Sequence, residues 1–246
     1  MATDPAGVDE IPEYAFSNSD VPESTLGSLW DEVERIRSQA RDCDMYGKDE
    51  NAWCLDVVQP ILLAGLRGTS KLHLTSVYVL AAWRICIQAL TDRPSFRQSQ
   101  QIDPALLPIA KNSLARINKK TDYTFCFSCG DPEVFELYQQ VSLGGHGYEI
   151  GPTTDAFTKR TILFSGVEVK SNDGGKQEAL AQLAIWQTAH LEKIKQLRYF
   201  ATDGDVDFSN RLLPIVGYTV VGHDWYTYII YKSENGVVSC AIVVNG

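Results

Sequence analysis

Positions 1 to about 22 are rich in Asp, Glu, Pro and Ser and have no hydrophobic period. They read as a disordered acidic leader, because such a composition buries too little apolar surface to offset ordering. Residues 23–246 read as a single domain. Ser24 or Thr25 is placed to cap a helix running to about Arg41, with Leu29, Val33 and Ile36 on one face. Asp42–Asp49 is polar, contains a glycine and reads as a loop. A second helix is expected from about Glu50 to Leu66, carrying Trp53, Val57 and Leu62. Pro60 should kink or break it, and Gly65 and Gly68 mark its end. A third, from about Leu74 to Leu90, is apolar on most sides and so reads as buried. Asp92–Pro108 is a connection.

From Asp122 onward the pattern turns to strands. Tyr123–Ser128 is aromatic and β-favouring. Asp131-Pro132 predicts a short helix with Asp as cap and Pro at the first helical position. Leu143–Thr154 is Gly-rich and loop-like. Thr161–Lys170 reads as a strand, Ser171–Gly175 as a turn, and Lys176 to about Phe200 as a long helix. Ile215–Val221, Trp225–Tyr231 and Val237–Val244 read as three antiparallel strands, joined at Gly222-His223-Asp224 and at Glu234-Asn235-Gly236. These elements predict an α/β chain.

Composition narrows this in three ways. The longest apolar run, Val77–Trp83, is far shorter than the ~20 residues of a membrane span. With no basic and apolar signal at the N-terminus, the expectation is an intracellular protein, cytoplasmic or nuclear, with no membrane partner. Six cysteines then read as reduced, and the single CxxC of Cys126 and Cys129 lacks the second pair or spaced histidines of a zinc site. The net charge of −9 is uneven: residues 1–56 hold 14 acids and 4 bases, whereas the remainder holds 17 acids and 18 bases. Neither part has the basic excess of a protein that grips nucleic acid through phosphates, so charge disfavours nucleic acid as a partner and leaves a small molecule open.

The chemistry concentrates in Ile162–Lys170. Side chains alternate along a strand, so Glu168 and Lys170 share one face and Val167 and Val169 the other. A carboxylate and an ammonium at i and i+2 suit a metal-dependent phosphodiesterase, in which the acid holds a cation and the lysine offsets developing charge. Taken alone, the tripeptide is better read as an exposed ion pair worth under about 1 kcal/mol, and its context is what favours the site. Asp122, at the head of the preceding strand, could be brought beside Glu168 by a neighbouring strand, or could serve as a turn residue. Glu178, Gln182 and Trp186 follow at i, i+4 and i+8 on the long helix and stack on one face, Trp186 being the core member.

Ser165-Gly-Val-Glu-Val-Lys170, a polar turn, and Glu178-Ala-Leu-Ala-Gln-Leu-Ala-Ile-Trp186 together resemble the motif-bearing segment of fungal PD-(D/E)XK nuclease-like proteins. Asp122-Tyr123 is similar to that family's first acidic motif, with Thr121 where Pro is common. Leu213–Trp225 is similar to its later strand pair, and Glu50-Asn-Ala-Trp53 to its first core helix. The resemblance implies a restriction-endonuclease-like mixed β-sheet core flanked by helices, here with extra N-terminal helices. It implies Asp122 and Glu168 as ligands of Mg²⁺ or Mn²⁺ and Lys170 as catalytic base or charge stabiliser. Glu50 would be an accessory acid, and Gln182 would support the site from the helix. Two functions follow. One is a Mg²⁺-dependent phosphodiesterase acting on nucleic acid. The other is the same fold reused to bind a small molecule or protein.

Overall fold

A computed structural model describes residues 23–67, 71–76, 102–107, 121–128, 130–146, 149–156, 158–202, 212–233 and 238–243. The acidic leader, most of the expected helix at 74–90, Cys129 and the hairpin turn at 234–236 lie outside the described residues. Six strands form one sheet in chain order: β1 (Leu72–Ser76), β2 (Tyr123–Phe127), β3 (Leu163–Lys170), β4 (Ile215–Val221), β5 (Asp224–Lys232) and β6 (Val238–Val243). Every neighbouring pair is antiparallel except β3 and β4. A parallel pair needs a crossover, and the 26-residue helix Lys176–Ala201 supplies it. This is the mixed α/β sheet of a restriction-endonuclease-like fold. None of the described helices is long and apolar enough to cross a membrane.

The helices are α1 (Glu23–Met45), α2 (Glu50–Ala52), α3 (Gln59–Gly65), α4 (Pro132–Val141) and α5 (Lys176–Ala201). Asp131 caps α4, accepting from the amides of Glu133 and Val134, with Pro132 opening the helix as the dipeptide predicts. Pro60 has the expected disruptive effect, in a particular form. The residues ahead of it, Trp53–Val58, wind as a π-helical segment between α2 and α3. Widening the turn accommodates a ring that cannot donate to the preceding carbonyls.

Several expectations are corrected. The first helix spans Glu23–Met45, so Ser24 and Thr25 lie inside its first turn and do not cap it; it also takes in the first part of the expected loop and leaves Tyr46–Asp49 as the connection. Leu74 to Ser76 belong to β1, paired with Tyr123–Phe125, and do not open a helix. A run of apolar residues fits a buried helix and a buried strand alike, and pairing with β2 decides it. Ser142–His146 continues from α4 into the expected loop and is kinked at Gly145, whose φ is 92.

Two layers cover the sheet near β3. On one face Val167, Val169, Tyr123 and Val220 pack with Ile36, Ala40 and Cys43 of α1 and with Trp53, Val57 and Val58. On the other face lies α5, whose Trp186 is fully buried, as its place on the helix predicts. Gly166 and Gly217 pair across the parallel strands. A Cβ on Gly166 would stand 2.9 Å from Trp186, and one on Gly217 3.0 Å from Gln187 and 3.1 Å from Leu183. The pair therefore lets α5 approach the sheet closely.

The turn between β4 and β5 is Gly222-His223, with Gly222 at φ 57. A side chain there would run into Asn172 Oδ1. Gly222→Ala should therefore cost about 1–2 kcal/mol for the left-handed backbone alone, with displacement of Asn172 added. A urea midpoint unchanged from wild type would refute this reading of the turn.

A second prediction concerns the core. His190 is buried, and burial pushes its imidazole down to about 3. Its Nδ1 lies 2.7 Å from Gln187 Oε1, while the Gln187 amide donates to the Val216 carbonyl. The amide's orientation makes Nδ1 the protonated ring nitrogen and leaves His190 neutral. The unfolded chain binds a proton near pH 6.5 and the folded chain does not until about pH 3. Stability from this residue is thus complete above pH 6.5. It falls toward pH 3 by up to about 1.4 kcal/mol per unit. Urea denaturation at pH 7 and pH 5 should show a smaller pH-dependent loss in His190→Gln than in wild type; parallel losses would contradict it.

Candidate metal centre

Four elements, β2, β3, α2 and α5, bring the candidate residues together. The backbone of Asp122 continues the β2–β3 ladder, its N–H donating to the Val167 carbonyl. Its Oδ2 accepts from the Val169 N–H at 2.7 Å, which fixes the carboxylate at the head of β2. Glu168 and Lys170 lie on the β3 face that meets α5, as strand alternation predicts. Glu50 opens α2, which Asp49 caps by accepting from the Ala52 amide at 3.0 Å. The Tyr123 hydroxyl donates to the Cys54 carbonyl at 2.9 Å, pinning the π-helical segment, and with it Glu50, to the sheet.

One ligand oxygen each from Glu50, Asp122 and Glu168 lie within 4.8 Å of one another. The Lys170 ammonium donates to Glu168 Oε1 at 2.8 Å, to Glu50 Oε2 at 3.0 Å and to Gln182 Oε1 at 3.3 Å. Gln182 Nε2 in turn donates to Glu178 Oε1 at 2.9 Å, which orients the amide with its oxygen toward the lysine. All five candidate residues therefore converge. Asp122 and Glu168 are buried, at 4% and 2% exposure, and Lys170 is at 8%. The alternative of a solvated pair on an exposed strand face is excluded.

Burial sets the electrostatics. It pushes the Glu168 carboxyl up to about 9, with Asp122 adding to the rise and Lys170 opposing it. Burial also lifts Asp122 to about 7, against the Val169 N–H that favours its charged form. For Lys170, burial alone would lower the ammonium, but Glu168 and Glu50 together hold it above its ordinary value. The Cys54 thiol is raised by burial and by the same acids, so it stays protonated and is no nucleophile at neutral pH. Without a cation, then, the carboxyl cluster retains a proton and the lysine keeps its charge.

The donor set fits a hard divalent cation. Carboxylate oxygens suit Mg²⁺ or Mn²⁺. Glu168 Oε2 is buried and has no hydrogen-bond partner, a costly arrangement that a bound cation would relieve.

Residue pattern alone left two features unread. Glu50 was assigned an accessory role only through family resemblance, yet it stands as a third carboxylate beside the other two. Its signal in the chain is no more than an acid after the capping Asp49. Glu178 was legible as a neighbour of Gln182 on the helix, but its part in holding the amide depends on which way that face turns.

A family model for the PD-(D/E)XK nuclease superfamily matches residues 2–244 of the chain. Neither curated proteins nor solved structures give a significant match.

Proposed function

This chain belongs to the PD-(D/E)XK nuclease superfamily, and from that membership we propose that it is a phosphodiesterase dependent on Mg²⁺ or Mn²⁺. The observation that carries the reading is Glu168 Oε2, a buried carboxylate oxygen without a partner, set among three converging carboxylates. Asp122, Glu168 and Glu50 would hold the cation. When bound, it would supply Lewis-acid activation and charge neutralisation at phosphorus.

The chain's own residues divide the remaining work. Asp122 and Glu168 are held rigidly, one by the Val169 amide and the other by Lys170. Lys170 enters the reaction as an ammonium, because its neighbours keep it protonated. It acts as a donor to charge developing on the phosphoryl oxygens, and not as the base. Gln182 and Glu178 fix its position from α5. Glu50, the most exposed of the three acids with a side chain 37% accessible, lies on the side from which substrate would enter.

Purified protein incubated with single- or double-stranded DNA or RNA and Mg²⁺ or Mn²⁺ tests this. Cleavage of at least one substrate is expected, and it should stop when the cation is chelated. A specific observation favours a second reading, in which the fold binds a small molecule or protein without cleaving nucleic acid. Residues 1–56, which include Glu50, carry 14 acids against 4 bases, and an acidic surface repels polyanions. Wild type inert on all four substrates would favour that reading.

A further inference from the structure

α1 carries one apolar series along its length. Ile36, Ala40 and Cys43 pack into the core beside β3. Leu26, Leu29, Trp30 and Val33 continue that series toward the N-terminus at i, i+3, i+4 and i+7, yet they are 41% to 64% exposed. This is the spacing of a helix face that is buried against something. At about 100° per residue, Glu32 and Glu34 fall on opposite flanks of the stripe. Each is held in an ion pair there, Glu32 with Arg67 and Glu34 with Arg37. An apolar patch with a charged rim marks an interaction surface. We infer that this stripe is the interface of a two-fold dimer, in which α1 of one copy packs antiparallel against α1 of a second copy of the chain. The inference stands apart from the metal-site reading.

Symmetry, charge and shape select a second copy as the occupant. A two-fold interface is self-complementary, each patch meeting its own copy. The stripe is symmetric about the point between Leu29 and Trp30. Antiparallel packing therefore sets Leu26 against Val33, and Leu29 against Trp30, of the other helix. The same register keeps like charges apart. Asp31, Glu32 and Glu34 of one copy come level with Ser28, Gly27 and Thr25 of the other, whereas parallel packing would set those acids beside their own copies. It also brings unlike charges together. The bases of α1 are Arg35, Arg37 and Arg41, all in its second half, while residues 1–22, from which the chain enters the helix, hold five acids and no base. Position 22 of one copy falls level with Arg37 of the other, so the acidic approach to each helix meets the arginine half of its mate. Gly27 fits the same arrangement. A glycine inside a helix is unfavourable, and a Cβ at Gly27 would meet nothing within 4 Å in its own chain. One turn before Trp30, it lets a second backbone come close.

One face of two crossing helices is a small contact, at or below the ~1,200 Å² of stable interfaces, so the association is weak. Sedimentation velocity of the full chain, run from roughly micromolar to hundred-micromolar concentration, tests it. Wild type should pass from monomer to dimer across that range. Trp30→Ala should weaken association at least about tenfold, as loss of a central aromatic anchor does, and Arg37→Glu should weaken it less. Both side chains are exposed, so neither change should disturb the fold. Cysteines test the register. Leu26→Cys together with Val33→Cys in one chain should give a covalent dimer under mild oxidation, beyond any cross-linking by the native thiols, and either change alone should not. A wild type that stays monomeric at every concentration would overturn the inference and assign the cover of the stripe to this chain's own residues. A dimer indifferent to Trp30→Ala, or cross-linked by Leu26→Cys alone, would overturn it as well.

Discussion

Glu168→Gln is expected to abolish cation-dependent phosphodiester cleavage, a loss on the order of 10³-fold or more, while the fold survives. The amide is nearly isosteric with the carboxyl, and its oxygen can still accept from Lys170. What it lacks is the charge a hard cation requires. The stability readout is as informative as activity. A cation at about 100 times its dissociation constant stabilises a protein by about 2.7 kcal/mol, and the variant should show none of this. Without a cation the comparison reverses. The wild-type carboxyl sits far above its ordinary value of 4.5, at about 9. Its contribution to stability is therefore complete below pH 4.5 and is lost as pH rises through 9. Glu168→Gln has no proton to lose, so at pH 8 the cation-free variant should equal or exceed wild type in urea midpoint. A variant that remained cleavage-competent, or that was still stabilised by Mn²⁺ as strongly as wild type, would remove Glu168 from the ligand set.

Lys170→Met carries the second large effect. Removing a fixed donor to developing charge costs about 10²–10³-fold in turnover, with cation binding retained or increased. The substitution separates a charge stabiliser from a base. Glu168 and Glu50 hold the ammonium above its ordinary value of 10.5, so the wild-type rate should show no lysine titration below about pH 9. A base would instead give an ascending limb near its own pKa. In the cation-free protein the variant leaves three carboxyls without a counter-charge. It should lose stability relative to wild type, most at alkaline pH, where the raised Asp122 and Glu168 carboxyls must ionise. Kinetics across pH 6–9 with Mg²⁺, set beside urea denaturation without it, check both. Full activity in the variant would show that Lys170 serves structure alone.

Much of the fold and most of the site could be read along the chain. β3, β4, β5, β6 and α5 appear within a few residues of their expected bounds. Turn residues close several of them, Ser171–Gly175 after β3 and Gly222 after β4. The pairing of Glu168 with Lys170 on one face followed from strand alternation alone, because a period of two leaves no other arrangement. The Asp131-Pro132 start of α4 and the burial of Trp186 were equally legible. Local rules failed where two structures fit one pattern. Leu74 sits in an apolar run that suits helix or strand, and its partner β2 begins at Tyr123, far along the chain.

By itself, then, the sequence determined the alternation that aligns Glu168 with Lys170, the helix that carries Gln182, and the acidic bias of the first 56 residues. Tertiary structure alone decided three matters. The antiparallel pairing of β2 with β3 brought Asp122 to the Val169 amide, a contact 47 residues apart. The docking of the π-helical segment on β3 placed Glu50 against Lys170, across 120 residues. Burial at 2% turned Glu168 from an ordinary carboxylate into one that is neutral without a cation. Charge and spacing are local properties of a chain. Desolvation belongs to the packed assembly, because it depends on what every other element excludes from the site.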